Sequence, residues 1–393
     1  MAMFDDVRHR WRSAPPAVRD FGPAVVMLAV ALLLPLVSST AEGAILPKAT
    51  LVFCAVYALF SMGLNIVVGY AGLLDLGYVA FFLFGAYVAA WLMSDFWYTK
   101  NLHFLDTALP SIAGIHISFW LVMIVAALVA ALAGVIIGAP TLRLKSDYLA
   151  LVTLGFGEIL PEVFRNGDNI GGANLTNGTR GIGPLDAIGN GFLKPLTLGK
   201  LPTKVRPIDL DAKYYIILIF CVLFVFASIK LRGGKLGRAW LAIREDELAA
   251  SLMGVPLMRT KLWAYAIGAA AGGLAGTFYA TTVGIVNVDT FTFLFSIIIL
   301  CSVILGGMGN VWGAILGGVV ITWFNYTGLK YVGDKVGVNL TSWNFAFFGT
   351  ILVLMMLFRP QGLIPAARQK QVQELEKKLD TIEVEVQVEA RPA

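Results

Sequence analysis

The sequence has little charge, few histidines and few cysteines, and each shortage excludes a class of protein. Only 14% of its 393 residues are charged, where a soluble domain needs about a quarter to cover its surface. The three histidines, His9, His103 and His116, lie outside the long apolar runs, which excludes most acid–base and metal chemistry within those runs. The three cysteines lie inside apolar runs, where a thiol packs as a small hydrophobe, so neither a disulfide framework nor a metal site is predicted.

A phosphate-binding loop is also missing. No Gly-x-x-x-x-Gly-Lys followed by Ser or Thr occurs, although such a loop cradles the phosphates of ATP in many ATPases. The sequence therefore predicts no catalytic residue, no metal site and no cofactor bound by the chain itself. If the activity is driven by ATP, the ATP and its Mg²⁺ would be held by separate ATPase chains.

Apolar residues are abundant and fall in blocks. They make up 58% of the chain, and the mean hydropathy is +0.77. The blocks are roughly twenty residues long, the length that a helix needs to cross a ~30 Å hydrocarbon core. The predicted fold class is an all-α polytopic membrane protein, a bundle of about ten transmembrane helices. The predicted spans are 22–39, 45–68, 76–93, 117–139, 148–164, 213–230, 261–284, 291–308, 311–330 and 343–358.

Basic residues beside the spans predict the orientation. Lys and Arg in short loops stay on the cytoplasmic side, and an even number of spans then makes both termini cytoplasmic. The first span is predicted to be retained, because no clean small-residue cleavage site follows it. The net charge of +5 is explained by this topology, without nucleic acid. The predicted parts are a cytoplasmic N-terminal segment (1–21), a transmembrane domain (22–358) with an external loop (165–212) and a cytoplasmic loop (231–260), and a charged cytoplasmic tail (359–393).

Glycine interrupts two of the hydrophobic runs. Residues 69–72 and 305–313 break them at roughly corresponding places in the two halves of the chain. In transporters such paired breaks mark discontinuous helices of an internal repeat beside the substrate path. Small residues also recur at every fourth position, as in Gly268, Gly272 and Gly276, which predicts close helix crossings. The alternative for these glycines is a role in packing alone.

Few ionisable groups lie in or beside the spans. Placing a charged side chain at the centre of a membrane helix costs roughly 2.5–3.5 kcal/mol, so each such residue is expected to have a functional or structural role. Glu158, in the middle of a span, is predicted to line or gate a path; the alternatives are a position near the membrane interface or a structural pair with a neighbouring helix. Asp75 follows the first glycine break and is predicted to contact a solute together with Asn65 and Tyr70. Alternatively, Asp75 caps the helix that follows it.

The cytoplasmic loop contains a predicted amphipathic helix from Arg238 to Leu252, with Gly254 as its stop signal. Its apolar positions are predicted to form one stripe, which suits a groove on a partner chain. They are Trp240, Ile243, Leu248 and Leu252. The alternative is a helix lying on the membrane surface. The residues predicted to couple the chain to its partner are Arg238, Trp240, Arg244, Glu245, Glu247, Ala249, Ala250 and Gly254.

Several ordered motifs resemble those of one family. The loop has the run Gly-Arg-Ala-Trp-x-Ala-Ile-Arg and, further on, Glu-x-Ala-Ala-x-x-x-Gly-Val. The other similar segments are 64–77, 82–86, 148–158, 269–276, 306–313 and 359–364, so the likeness covers nearly the whole chain. In these motifs the chain resembles the LivM-type permeases, the branched-chain amino acid branch of the binding-protein-dependent ABC importers.

The resemblance implies a permease subunit of an ABC importer for branched-chain amino acids or similar solutes, located in the inner membrane of a bacterium. The implied partners are a homologous LivH-like permease subunit, two cytoplasmic ABC ATPases, and an external or periplasmic solute-binding protein. One position departs from the general coupling motif Glu-Ala-Ala-x-x-x-Gly. Leu248 stands where the acid is expected, and Glu247 lies one place earlier, which rotates its carboxylate by ~100° on a helix.

Other functions stay open at this point. Permeases that resemble this chain also carry urea or short amides. A secondary transporter or channel would need no ATPase, and copurification of a nucleotide-binding chain would exclude it. An intramembrane enzyme would need a nucleophile and a base that face each other within the spans, and the spans contain no histidine.

Overall fold

The structure, a computed structural model, describes residues 16–38, 45–104, 113–144, 146–186, 188, 210–337, 339–359 and 361–364. Most of the predicted N-terminal segment, nearly half of the external loop and nearly all of the charged tail lie outside these described residues. The predicted division of the chain into these parts therefore stays a prediction.

Helices dominate the described residues, and a helix covers the centre of each predicted span. The helices are α1 (Pro16–Val37), α2 (Lys48–Leu64), α3 (Val79–Leu92), α4 (Phe119–Thr141), α5 (Ser146–Arg165), α6 (Leu210–Gly233), α7 (Lys235–Glu245), α8 (Glu247–Leu252), α9 (Leu257–Val283), α10 (Phe293–Gly306), α11 (Val311–Trp323), α12 (Leu329–Val336) and α13 (Asn344–Phe358). Two π-helical segments, Asn65–Tyr70 and Phe324–Gly328, extend α2 and join α11 to α12.

Several helices meet the length and hydropathy that a membrane crossing requires. Among the described residues, four are both long and apolar enough: Lys48–Tyr70, Phe119–Thr141, Leu210–Gly233 and Leu340–Phe358. Shorter apolar helices accompany them at Met27–Val37, Val79–Leu92 and Phe293–Gly306. The chain is therefore a multi-pass helical membrane protein.

The loops gather at the two ends of the bundle. At one end, the short strands β1 (Met93–Ser94), β2 (Asn101–Phe104) and β3 (Gly114–Ile117) form a sheet in the order β1-β3-β2. The chain after α5 joins this end, where Ile182 pairs with Val286. At the opposite end lie α7 and α8, both glycine breaks and residues 361–364. This second end holds most of the residues that the sequence singles out.

Glycine lets α9 pass close to its neighbours at the centre of the bundle. A Cβ on Gly276 would lie 2.1 Å from the carbonyl oxygen of Phe82 in α3, and one on Gly85 would lie 2.1 Å from the carbonyl oxygen of Gly273 in α9. Lipid gives helices no hydrophobic reason to associate, so such backbone contact supplies much of their packing energy. The predicted close crossing along Gly268, Gly272 and Gly276 is confirmed.

Hydrogen bonds between side chains add to this packing along α2. The Ser61 and Ser302 hydroxyl oxygens lie 2.7 Å apart, linking α2 to α10. Near the other end of α2, the hydroxyl oxygens of Thr50 and Thr327 lie 2.8 Å apart. Each such bond contributes on the order of 0.6 kcal/mol in a membrane protein, so glycine contact and these bonds act together.

Candidate functional site

The cytoplasmic loop of the sequence forms two helices, α7 and α8, where one helix was predicted. They are separated at Asp246, whose backbone is extended (φ −154°, ψ 113°). The Asp246 carboxylate oxygen Oδ1 accepts hydrogen bonds from the backbone N–H groups of Leu248 (2.8 Å) and Ala249 (3.0 Å). An aspartate at a helix N-cap satisfies donors that the helix leaves unpaired, and this cap separates α8 from α7.

The second helix ends where the sequence predicts. Gly254 adopts a left-handed backbone conformation (φ +81°), which favours glycine. The N–H of Val255 then donates back to the carbonyl of Ala250 (3.1 Å), as is typical of a helix C-terminus closed by glycine. The loop 234–254 is therefore a defined structure with a fixed start and stop. We refer to it as the coupling segment.

The apolar residues of the coupling segment point to two different sides. Trp240 is fully buried, and its indole N–H donates to the carbonyl of Thr260 (2.8 Å), so α7 is fixed to the start of α9. Leu248, Leu252 and Met253 are 71%, 80% and 85% exposed. The single stripe expected from sequence is thus divided, because α7 buries its part within the chain and α8 presents its part outward.

Two of the predicted coupling residues, although exposed, bond within the chain. Glu247, half-exposed, forms an ion pair with Lys261 of α9, and the Lys261 side chain is 5% exposed. A buried ammonium group needs such a partner, because removing it would leave an uncompensated charge. Arg238 donates from Nη1 to the carbonyl of Gly233 (3.0 Å) across the turn between α6 and α7. The displaced carboxylate of Glu247 is therefore used to hold α8 against α9.

Arg244 connects the coupling segment to the first glycine break. Its Nη1 donates to the carbonyl of Gly69, in the π-helical segment that ends α2. Its aliphatic stem passes over Gly72, where an added Cβ would lie 2.7 Å from Arg244 Cγ. Burial lowers the pKa of the guanidinium from its ordinary value, although arginine stays charged at neutral pH.

The second glycine break lies against the first. The Asn65 side-chain oxygen Oδ1 accepts a hydrogen bond from the backbone N–H of Gly309 (2.8 Å). The C-terminal motif completes the arrangement, because the N–H groups of Leu363 and Ile364 donate to the carbonyls of Leu305 (2.8 Å) and Gly306 (2.9 Å). We call residues 65–77, 305–313 and 361–364 together the glycine junction.

Asp75 is buried in the glycine junction and does not cap α3. Its Oδ1 accepts from the N–H of Gly77 (2.9 Å), two residues before α3 begins. Its Oδ2 has no hydrogen-bond partner among the described residues, and neither has the buried amide nitrogen of Asn65. Tyr70 is also buried, with its hydroxyl oxygen 3.1 Å from that of Ser228.

Glu158 lies apart from these residues. On α5, Thr153 packs towards the glycine junction and accepts from the N–H of Leu76 (3.1 Å). Five residues along a helix is a rotation of about 140°, so Glu158 lies on the far side of α5, where it is exposed. The structure thus brings Asn65, Tyr70 and Asp75 to one end of the bundle and leaves Glu158 on an outer face. The solute contacts predicted for these four residues stay a prediction.

Lys261 and Thr260 were not among the predicted site residues. A lysine at the start of an apolar helix is a signal in the sequence, since such a charge needs a partner. The backbone carbonyls of Gly69 and Thr260 carry no side-chain signal at all, so only the folded structure reveals them as the acceptors of Arg244 and Trp240.

Discontinuous helices beside a charged helical segment are typical of multi-pass membrane transport proteins. Residues 46–356 match the family described as branched-chain amino acid transport system, permease component. The chain belongs to this family.

Named relatives agree with this family. The chain is 36% identical over 321 residues to the high-affinity branched-chain amino acid transport system permease protein LivM of Escherichia coli K12, covering 80% of this chain and 68% of that protein. It is 27% identical to the probable LivM permease of Methanocaldococcus jannaschii, covering 80% and 92%. It is 24% identical to the permease LivH of Salmonella typhimurium, covering 78% and 91%. No solved structure matches the chain.

Proposed function

We propose that the chain is one of two permease subunits in an ABC importer that moves branched-chain amino acids or similar solutes into the cell. The observation that carries this proposal is the coupling segment: α8 presents exposed apolar side chains, while α7 and Arg244 are bonded into the membrane bundle. Such a helix fits a groove on a soluble partner and passes its displacement to the bundle. The alternative, a helix lying on the membrane surface, does not explain why α7 and Arg244 are bonded to the bundle.

Each further partner supplies something that this chain lacks. A LivH-like subunit would complete the membrane pathway, two cytoplasmic ATPases would hydrolyse ATP with Mg²⁺, and an external or periplasmic solute-binding protein would deliver the solute. The LivM and LivH names of the relatives support the first of these. The chain itself would bind no cofactor. The function is transport, with the chemistry of ATP on other chains.

The proposed topology has about ten spans in the bacterial inner membrane. Both termini and the coupling segment lie in the cytoplasm, because basic residues flank this end of the bundle. The sheet end then faces outward, towards the solute-binding protein. A proteolysis or cysteine-labelling map of right-side-out vesicles tests this orientation: residues of the coupling segment should be protected and those of 165–186 accessible.

The outer face of α5 is the proposed wall of the solute path and contact surface for the LivH-like subunit. On α4 the exposed positions are apolar, as lipid contact requires: Leu121, Ile124, Leu128, Leu132 and Ile136. On α5 the exposed face carries apolar side chains as well, among them Leu151, Ile159 and Val163, but the carboxylate of Glu158 lies among them. A carboxylate that faces lipid costs roughly 2.5–3.5 kcal/mol, so this face is expected to contact protein and water.

Reconstitution tests the proposed function directly. The chain, coexpressed with the LivH-like subunit and ATPases encoded beside it, should copurify with both, and proteoliposomes with the binding protein should accumulate leucine only when ATP is supplied. Uptake with the permease pair alone, driven by an ion gradient, would instead identify a secondary transporter. A complex that hydrolyses ATP without moving leucine, isoleucine or valine would contradict the proposed solutes.

Glu158→Gln is expected to lower leucine uptake about tenfold, because the variant loses a charge-assisted contact in the path worth about 1.5–3 kcal/mol. Copurification of the ATPases should not change, since Glu158 lies on α5, away from the coupling segment. The matched control is Asp334→Asn, an exposed acid on α12 outside the proposed path. Unchanged affinity and rate of uptake in Glu158→Gln would remove this residue from the path.

A further inference from the structure

One side chain links the coupling segment to the glycine junction. Arg244 is the last-turn basic residue of α7, yet its guanidinium points into the chain and donates to the Gly69 carbonyl. Helix α2 and its π-helical extension end at Tyr70, so this carbonyl belongs to the last turn, where carbonyls lack partners within the helix. A guanidinium is a strong donor for such a group. The bond therefore gives the end of α2 a partner on α7.

The space for Arg244 exists because two glycines lie against it. At Gly72, a Cβ would lie 2.7 Å from Arg244 Cγ, and at Gly309 a Cβ would lie 2.9 Å from Arg244 Nη1. Both glycines also have a positive φ (+70° and +83°), a conformation that other residues rarely adopt. Gly309 is in turn bonded to Asn65 through its N–H. Arg244 therefore contacts both glycine breaks: Gly69 and Gly72 in the first and Gly309 in the second.

We propose that Arg244 is the positioning residue that passes movement of the coupling segment to both discontinuous helices of the permease. This inference rests on the proposed function, because it needs an ATPase that moves α8. When α8 and α7 shift, Arg244 moves with them. Its bond to Gly69 displaces the end of α2, and its contact with Gly309 displaces the start of α11, so both breaks move as one unit. Without the guanidinium, the ATPases still bind α8 and hydrolyse ATP, and Trp240 and Glu247 still hold the segment to α9, but the two glycine breaks lose their direct link to it.

The first test uses the complete transporter in proteoliposomes, with leucine uptake and ATP hydrolysis measured on the same preparation. Arg244→Gln should reduce leucine moved per ATP about tenfold, because one hydrogen bond to a charged group is lost. Arg244→Lys, which keeps the charge and a donor, should restore part of the coupling. Arg259→Gln is the matched control, an exposed arginine at the start of α9 near the same end of the bundle.

The second test replaces the arginine link by a covalent one. A Cβ at Gly72 would lie 3.1 Å from Arg244 Cβ, close to the roughly 3.5–4.5 Å that disulfides span. The double variant Gly72→Cys and Arg244→Cys is made in a background without the three buried native cysteines, Cys54, Cys221 and Cys301. Because a side chain at residue 72 is strained at φ +70°, the reduced variant must first elute as the same monodisperse complex as that background. Oxidation should raise leucine uptake per ATP at least several-fold over the reduced form, and reduction should reverse the gain. A residue needed only for folding would show no such reversible recovery.

The outcomes separate this inference from the proposed function. If wild-type chain neither binds the ATPases nor transports with ATP, the proposed function fails. If wild type is coupled and Arg244→Gln is equally coupled, only the role of Arg244 fails. If Arg244→Gln does not assemble, the cysteine pair decides: recovery on oxidation supports the link, and equal uptake in the oxidised and reduced forms overturns it.

Discussion

Leu248→Asp combined with Leu252→Asp is expected to abolish ATP-driven uptake by separating the ATPases from the permease. Both leucines are more than two-thirds exposed on α8, and neither packs within the chain. Burying each against a partner gains about 1.5–3 kcal/mol, whereas a buried, unpaired aspartate is strongly unfavourable. The ATPases should therefore no longer copurify with the permease pair, and ATP hydrolysis by the membrane fraction should fall to background.

The control for this double variant is Leu144→Asp. Leu144 is 40% exposed in the turn after α4, on the proposed cytoplasmic side but outside the coupling segment. Its substitution should leave copurification and uptake unchanged. Since both leucines of α8 face outward, the double variant should also keep the thermal stability of the permease pair. Normal recovery of the ATPases with Leu248→Asp and Leu252→Asp would mean that they contact another surface.

Gly276→Leu is expected to prevent assembly of the helix bundle. A Cβ at this position would lie 2.1 Å from the Phe82 carbonyl oxygen and 2.9 Å from the Ala86 nitrogen, both in the backbone of α3. Backbone cannot move aside as a flexible side chain can, so the cost should exceed the ~1–3 kcal/mol of ordinary overpacking. After detergent extraction, size-exclusion chromatography should show almost no monodisperse permease.

Gly349→Leu gives the same chemical change without the clash. Gly349 lies inside α13, and nothing is found within 4 Å of a Cβ built there. Leucine is also the better helix former, by up to about 1 kcal/mol. Yield and melting temperature should equal or exceed those of wild type. Equal loss of protein in both variants would show that the α3–α9 crossing is not the cause.

The helices could be predicted from the sequence, because each apolar run is long and bounded by polar residues, Gly or Pro. The coupling segment was harder. Composition alone favoured one helix across 238–252, but Asp246 lies in the middle and its side chain bonds to the N–H groups that follow it. Aspartate competes with the helix in this way whenever its backbone can extend. Asp246 was thus a signal for a break in the sequence, but whether the helix breaks there depends on the local backbone conformation.

The arrangement of the glycine junction could not be predicted. Arg244 bonds to a residue 175 positions away, and Asn65 to one 244 positions away, and in both cases one partner is a backbone group that every residue possesses. Hydrophobic patterning shows that a helix is interrupted but not which other interruption it meets. The direction of the Glu158 side chain could not be predicted either, because α5 carries polar or small residues on more than one side.

The bond between Asn65 and Gly309 also constrains how the protein is made. Synthesis at about 5–20 residues per second means that the ribosome needs roughly 10–50 s to travel the 244 residues between them. During that interval the end of α2 has neither Gly309 nor residues 363–364 beside it, and its polar groups must be satisfied by water or by the insertion machinery. Because residues 363–364 are the last described part of the chain to be synthesised, the junction is the last described contact region to be completed.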